Sequence, residues 1–474
     1  MKIYKSVFSF IILLFFSSVS GQTLFLSGSG SGYKNAELRI YFQTDPITKR
    51  PKPLMNIICD EKGTFSCSIP YEKNEIIFIK TGIYNLNLYV TDSARYELLL
   101  PDYVAKPGNE EQNPFFMETE LIPEVINNKQ DVNNLIRAFD YDFNPVFNLV
   151  ADRVFKNYKK EEIAQIIAKL DKYREVKEPS FYYDYIKCRM MMLNLIGSSS
   201  TQDLNKATEF IGAGFNSGNQ AFFDLAEQMF SGCFSKISSG QLKDQFNLAV
   251  ATASFTELRS VILRDVRITN TELVDFVILL NLYADYYNRN LPGENVRKII
   301  SLMQSEGATI FIKNIASEVL GEIDNSLPGN YPPDFLLANS EGKMMSMKDF
   351  RGKYLLMGFG RSDSQVTLME MGRINLWRQK YINDVQIVII LTDKDFKSSS
   401  QSLINRGFKW IFLDGSKKEK LEFNYKIKMY PSFLLIDRKG QIIADPCPYP
   451  SEDLELTINK ILLADPTRSG SENR

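Results

Sequence analysis

The stretch LLMGFGRSDSQVTLMEM, residues 355–371, passes from an apolar run into a helical pattern, and two hydroxyls, Ser364 and Thr367, sit at the turn between them. A serine there becomes a nucleophile only when a neighbouring base takes its proton. The chain contains no histidine, which removes Ser-His-Asp and Cys-His arrangements and every histidine-containing metal motif. Carboxylate pairs and lysine bases remain, and no spacing singles one out. The same residues also serve structure: serine is among the best N-caps, its oxygen accepting from an orphan amide and stabilising the helix by about 1 kcal/mol. Asp363 competes for that role, and either suits the positive end of the helix dipole. A scaffold role for Ser364 is therefore expected over a catalytic one.

Sulfur is the other chemistry available. Of five cysteines, Cys59 and Cys67 bracket DEKGTFS, Cys188 and Cys233 lie in apolar helical patterns, and Cys447 stands between prolines in ADPCPYP. An odd number leaves at least one unpaired or paired with another molecule. A hairpin turning at Glu61 and Lys62 places Cys59 across from Thr64 and Cys67 across from Asn56. The two thiols then fall on opposite faces, which disfavours a disulfide between them. Cys188 and Cys233 are expected as buried free thiols. No cofactor or metal site is expected.

Composition sets the wider bounds. With 474 residues the chain exceeds one ordinary core, and its 44% apolar and 24% charged content is that of a globular protein. Lys plus Arg number 56 against 57 for Asp plus Glu, so no basic field collects a phosphate backbone and nucleic-acid binding is not expected. Lys2 and Lys5, the apolar run Val7 to Phe16 and the small-residue stretch SSVSGQ read as an export signal over 1–20, cut after Ser20 or Gly21. The run is shorter than a membrane anchor needs, and no later segment is long and apolar enough to span a bilayer.

Three patterns follow along the chain. Residues 21–107 read as short alternating runs such as AELRIYF, EIIFIK and LNLYV, an N-terminal β-sandwich. Residues 123–325 read as an all-helical domain. Ile163, Ile166, Ile167, Leu170 and Tyr173 line one face, Asn144-Pro145 marks a helix start, and Ser180 can cap a helix that Gly197 ends. Further helices are expected over 219–237, 271–289, 294–304 and 308–323. The Met- and aromatic-rich run FYYDYIKCRMMMLNLI, 181–196, is expected as core, with a hydrophobic ligand groove as the alternative. No fixed-period repeat is found. Pro328, Gly329, Pro332 and Pro333 interrupt any helix and open a third region, 328–464, of strands alternating with helices and closed by a hairpin at Arg438 to Gly440. Residues 465–474 form a polar tail expected to be disordered.

In that third region PDFLLANSEGKMMSMKDFRGKYLLMGF, then MEM at Met369 to Met371, then YKIKMYPSFLLIDRKGQII, resemble the envelope thioredoxin-fold oxidoreductases of the TlpA-like and peroxiredoxin-like (AhpC-TSA, redoxin) branch. The resemblance covers roughly 135 residues. It implies a C-terminal α/β thioredoxin-like fold and a redox motif, Cys-x-x-Cys, whose register falls on Ser364 and Thr367. The chemistry needs sulfur: a helix N-terminus lowers a thiol pKa, the thiolate attacks a disulfide and a second thiol resolves the mixed species. Hydroxyls do neither, so a degenerate, redox-inactive site is expected. The resemblance further implies that Pro431, after Tyr430, is cis and faces the motif, with a loop that binds an extended polypeptide or envelope protein. A plain folding role for Pro431 is the alternative. The binding residues so implied are Tyr430, Pro431, Ser364 and Asp363. Cys447, placed by such a fold near Ser364 and Pro431, offers a second reading as a one-cysteine oxidoreductase or peroxidase, against an inert or mixed-disulfide thiol. A third reading makes the helical domain the partner-binding module. The implied location is the periplasm or cell envelope of a Gram-negative bacterium, or the exterior after secretion.

Overall fold

The computed structural model describes residues 22–465 apart from 72–74, 92, 111–112, 114–115, 157–159, 178–179, 198–200, 216–217, 265–269 and 326. The export signal and residues 466–474 lie outside the described residues.

The first region contains strands β1 (Gln22–Ser29), β2 (Glu37–Gln43), β3 (Pro51–Ile58), β4 (Thr64–Tyr71), β5 (Glu75–Thr81), β6 (Tyr84–Val90) and β7 (Arg95–Leu99). Two short strands follow, β8 (Thr119–Leu121) and β9 (Glu124–Val125). They form two sheets, ordered β4-β1-β7-β9 and β3-β2-β5-β6-β8. Alternation drives the stacking: Leu24, Leu26, Leu38, Ile40, Ile79 and Leu88 point inward into one core, while Phe25 between the first two is about half exposed, as a period of two requires. Because β8 and β9 complete one edge of each sheet, the strand region extends past 107 to Val125.

The expected hairpin around Cys59 and Cys67 is not formed. β3 and β4 belong to different sheets, and Cys67 lies opposite Leu26 of β1. The turn between them is closed by the Asp60 carboxylate, which accepts from the amides of Lys62 and Thr64 and from the Thr64 hydroxyl at 2.7–2.9 Å. Locally this resembles a hairpin turn, but each strand buries one apolar face by entering a separate layer. Both cysteines are free thiols.

The helical region contains α1 (Val132–Phe155), α2 (Lys160–Ile167), α3 (Ser180–Gly197), α4 (Thr201–Gly214), α5 (Gln220–Phe230) and α6 (Cys233–Ser238). It continues with α7 (Lys243–Ala251), α8 (Phe255–Ile262), α9 (Thr271–Asn288), α10 (Gly293–Glu306) and α11 (Ile310–Asp324). Pro145 does not start a helix but lies inside α1. The apolar stripe Ile136, Phe139, Phe143, Val146 and Val150 is buried along the whole length, and the carbonyl that loses its partner belongs to Tyr141, whose side chain is exposed. The helix expected over 219–237 is broken: Gly232 adopts φ +72 between α5 and α6, which lets Phe230 and Phe234 both be buried. Cys188 is buried, whereas Cys233 is only partly so. Tyr182, Tyr185, Ile186, Met190 and Leu193 of α3 enter the main core. Tyr183, Met191 and Asn194, together with Ile186 and Met190, line a smaller pocket of about 410 Å³.

The third region contains β10 (Leu336–Ala338), β11 (Met344–Ser346), β12 (Tyr354–Gly360), α12 (Gln365–Trp377), β13 (Val385–Leu391) and α13 (Phe396–Asn405). It ends with β14 (Ile411–Asp414), α14 (Lys418–Asn424), β15 (Ser432–Ile436), β16 (Ile442–Ala444) and α15 (Leu454–Ala464). The five-stranded sheet has the order β14-β13-β12-β15-β16. Its first three strands are parallel, and β15 and β16 are antiparallel to their neighbours, the arrangement of a thioredoxin-like fold. Every residue of β12 is buried, because Leu356 enters the core shared with α12 and α15 while Leu355, Met357 and Phe359 enter the one on the opposite face. A strand covered on both faces reads as a continuous apolar run. Asp465, assigned to the disordered tail, is tied down: it accepts from the Tyr354 hydroxyl at 2.9 Å and pairs with Arg438 at 3.2 Å. Among the described residues no helix is long and apolar enough to cross a membrane.

The loop between β2 and β3 joins all three regions. The Asp45 carboxylate accepts from the amides of Ile47 and Thr48 and shapes the loop. Ile47 then enters the helical core, and Lys49 pairs with Asp224 and Glu227. Arg50 pairs with Glu322 of α11, donates to the carbonyl of Phe423 in α14 and lies 4.1 Å over that ring. Lys426 meets the same Glu322 carboxylate at 3.4 Å.

Candidate functional site

The end of β12 carries the hydroxyl motif to the top of the sheet. Phe359 lies opposite Ser432 in the antiparallel pair with β15, so Gly360 and the residues after it share that end with Pro431. The Tyr430-Pro431 peptide is cis, as the family resemblance implies; a second cis bond joins Asp445 and Pro446.

Ser364 is the N-cap of α12. Its backbone is extended and its side chain accepts from the Thr367 amide at 3.3 Å. Ser364 is 4% and Thr367 1% exposed. The Thr367 methyl closes on Gly360 so tightly that a Cβ there would lie 2.6 Å from it, and the Thr367 hydroxyl is buried without a hydrogen-bond partner. Asp363 does not cap. Its carboxylate faces back to Arg361, which donates from Nε and Nη2 at 3.0 and 2.6 Å and holds the carboxyl below its usual range. The preceding turn is pinned by Asp393, which accepts from the Ser362 amide at 3.0 Å and from its hydroxyl at 2.5 Å.

The prolyl loop differs. Pro431 is buried and its carbonyl accepts from the Tyr449 hydroxyl at 3.1 Å. The Tyr430 phenol donates to Glu422 at 2.7 Å, and burial, with that carboxylate, pushes it well above its ordinary range. The backbone N–H and C=O of Tyr430 make no hydrogen bond among the described residues.

Cys447 lies beside this loop, its amide donating to Phe433 at 2.9 Å. It is 6% exposed and packed in the core. Burial, with a smaller effect from Asp445, pushes its thiol up to about 12. The thiolate, the reactive form, is thus opposed at neutral pH. The structure brings Tyr430, Pro431 and Cys447 together, and places Ser364 and Thr367 at the same end of the sheet but sealed.

A crevice of about 1600 Å³ opens from Met429 and Ser432 toward Tyr41 and Arg50 of the first region and Tyr283, Tyr286 and Tyr287 of α9. Reading the sequence region by region missed it, although Tyr283, Tyr286 and Tyr287 carry the i, i+3, i+4 spacing of one helix face. Among the described residues no cluster of Cys, Asp and Glu is arranged to hold a metal ion.

No protein-family model and no curated protein matches the chain. Solved structures do. A protein of Bacteroides vulgatus described as a thiol-disulfide oxidoreductase is 22% identical, with 29% of this chain and 98% of that one covered and a TM-score of 0.26. The C-terminal domain of one from Bacteroides thetaiotaomicron is 24% identical, covering 29% and 97% with a TM-score of 0.26. A Chlorobium tepidum protein described as the thiol:disulfide interchange protein DsbE is 22% identical, covering 29% and 98% with a TM-score of 0.27. The similarity thus spans nearly the whole of each solved chain and under a third of this one.

Proposed function

We propose that this chain is an exported protein of the cell envelope whose thioredoxin-like region has lost dithiol chemistry and binds a polypeptide partner, with the β-sandwich and helical regions completing the binding site. The observation that carries this reading is a contrast at one end of the sheet. The two hydroxyls at the redox position are buried, while the Tyr430 backbone beside them keeps an N–H and a C=O unpaired among the described residues. A donor and acceptor of that kind can take an extended chain by strand addition. The raised thiol of Cys447 weighs against the oxidoreductase reading. The tyrosine wall of α9 gives the helical region a share in binding rather than sole charge of it.

Two measurements test this. With dithiothreitol as reductant the protein is expected not to accelerate the uncatalysed reduction of insulin disulfides; acceleration that disappears in Cys447→Ala would replace this reading with the one-cysteine enzyme. Fluorescence anisotropy with a labelled, reduced and carboxymethylated polypeptide is expected to show saturable binding, and its absence refutes the binding role.

A further inference from the structure

The crevice has walls that the thioredoxin-like region alone does not supply. At about 1600 Å³ it exceeds the roughly 300–1,000 Å³ of a small-molecule pocket, so its size fits a polymer segment. Tyr283, Tyr286 and Tyr287 form one wall, with Tyr287 edge-on to Tyr283 at 5.1 Å and to Tyr286 at 5.4 Å. Tyr287 is 51% exposed. Phenols are protonated at neutral pH, and burial raises both Tyr283 and Tyr287 further, so both are hydrogen-bond donors there.

Charge narrows the choice. Arg50 and Lys426 are both engaged by Glu322, and Lys80 by Glu118. Glu422 is occupied by the Tyr430 phenol and Lys418, Glu419 faces Arg39, and Asp445, which also lines the crevice, faces Lys426. Arg289, which closes α9 with φ 56, and Lys428 on the prolyl loop are exposed lining cations with no ion pair among the described residues. The open walls therefore offer aromatic faces, phenol donors and two unpaired cations. Aromatic rings stack with aromatic side chains, and the cations favour carboxylates. A sugar chain would also stack on tyrosine, but it brings no strand-like donor and acceptor to the Tyr430 backbone.

We propose that the crevice selects extended polypeptide segments bearing aromatic and acidic side chains, held at one end by the Tyr430 backbone and read by Tyr283, Tyr286, Tyr287, Arg289 and Lys428. This rests on the polypeptide-binding reading and adds its specificity. The test uses the full chain and labelled Gly/Ser peptides carrying Tyr and Asp, with matched peptides in which Lys replaces Asp or Ser replaces Tyr. The Tyr/Asp peptide is expected to bind about tenfold more tightly than either control. In R289E/K428E, both changes at exposed positions, the preference for Asp over Lys should vanish or invert, and Tyr287→Ala should weaken the two Tyr-bearing peptides and leave the Ser control unchanged. Equal affinities for the three peptides, or an unchanged preference in the double variant, overturn the specificity while leaving polypeptide binding in place. Failure of all three peptides and of the carboxymethylated polypeptide overturns both readings. Displacement of bound peptide by a neutral glucan oligosaccharide would make this a glycan site and also overturn the proposal.

Discussion

The junction at Ser364 and the loop at Tyr430 lie at the same end of one sheet, yet they present opposite surfaces. At the junction an N-cap bond, a threonine methyl against Gly360 and near-complete burial leave nothing for a substrate to reach. At the loop, Glu422 holds the Tyr430 phenol and Tyr449 the Pro431 carbonyl, while the Tyr430 backbone stays unpaired among the described residues and a crevice opens next to it. A sulfur pair must be accessible to exchange; a hydroxyl pair need only pack. The difference teaches that two surfaces at one end of a sheet are separable: one can be closed by packing without closing the other.

The sharpest way to break the comparison is to introduce sulfur. S364C/T367C is expected to change a chain without a dithiol at this position into one with an oxidisable pair, read as the loss of two titratable thiols on oxidation; thiols that never pair would refute the register. Next is the junction of the three regions. Glu322→Ala leaves Arg50 and Lys426 mostly buried without their carboxylate, and by analogy with broken buried ion pairs should cost about 3 kcal/mol in urea denaturation and weaken peptide binding. Unchanged stability would show that the crevice does not depend on that junction. Ser364→Ala should cost about 1 kcal/mol, the loss of one cap, with no effect on insulin disulfides. A larger loss, or a change in redox behaviour, would mean the hydroxyl does more than cap.

A further prediction concerns pH. The Cys447 thiol rises from an ordinary 9.0 to about 12 on folding, so the protonated form favoured by the fold contributes stability that is fully present below pH 9.0 and lost as pH rises toward 12. Cys447→Ala should therefore lose less stability than the parent across that window, the tyrosines titrating alike in both chains. Parallel profiles would place the thiol in a more polar setting than its burial indicates.

Much of this was legible in residues. The continuous run YLLMGF, followed by a serine before a helical pattern, marks a strand buried on both faces and a capped helix, and both are found. The alternating strands and the i, i+3, i+4 helices are equally local. Pro145 misled because a proline inside a helix is paid for by packing along the rest of the stripe, which no dipeptide reveals. Gly232 and the turn at Asp60 misled for the same reason, since whether a turn returns a strand to its own sheet or sends it to the next is settled by which faces need covering. Asp363 and Ser364 were both plausible caps until Arg361 took one of them.

By itself the amino-acid order determined the absence of histidine catalysis, the presence of hydroxyls at Ser364 and Thr367 and the periodicity of each element, because these depend on residue identity and on neighbours within a turn or two. Only the tertiary structure decided that the hydroxyls are sealed, that Cys447 is held protonated, and that tyrosines of α9 face the prolyl loop across one crevice. Those depend on burial and on contacts between residues more than a hundred positions apart, such as Arg50 with Glu322 and Phe423, which sequence spacing does not encode.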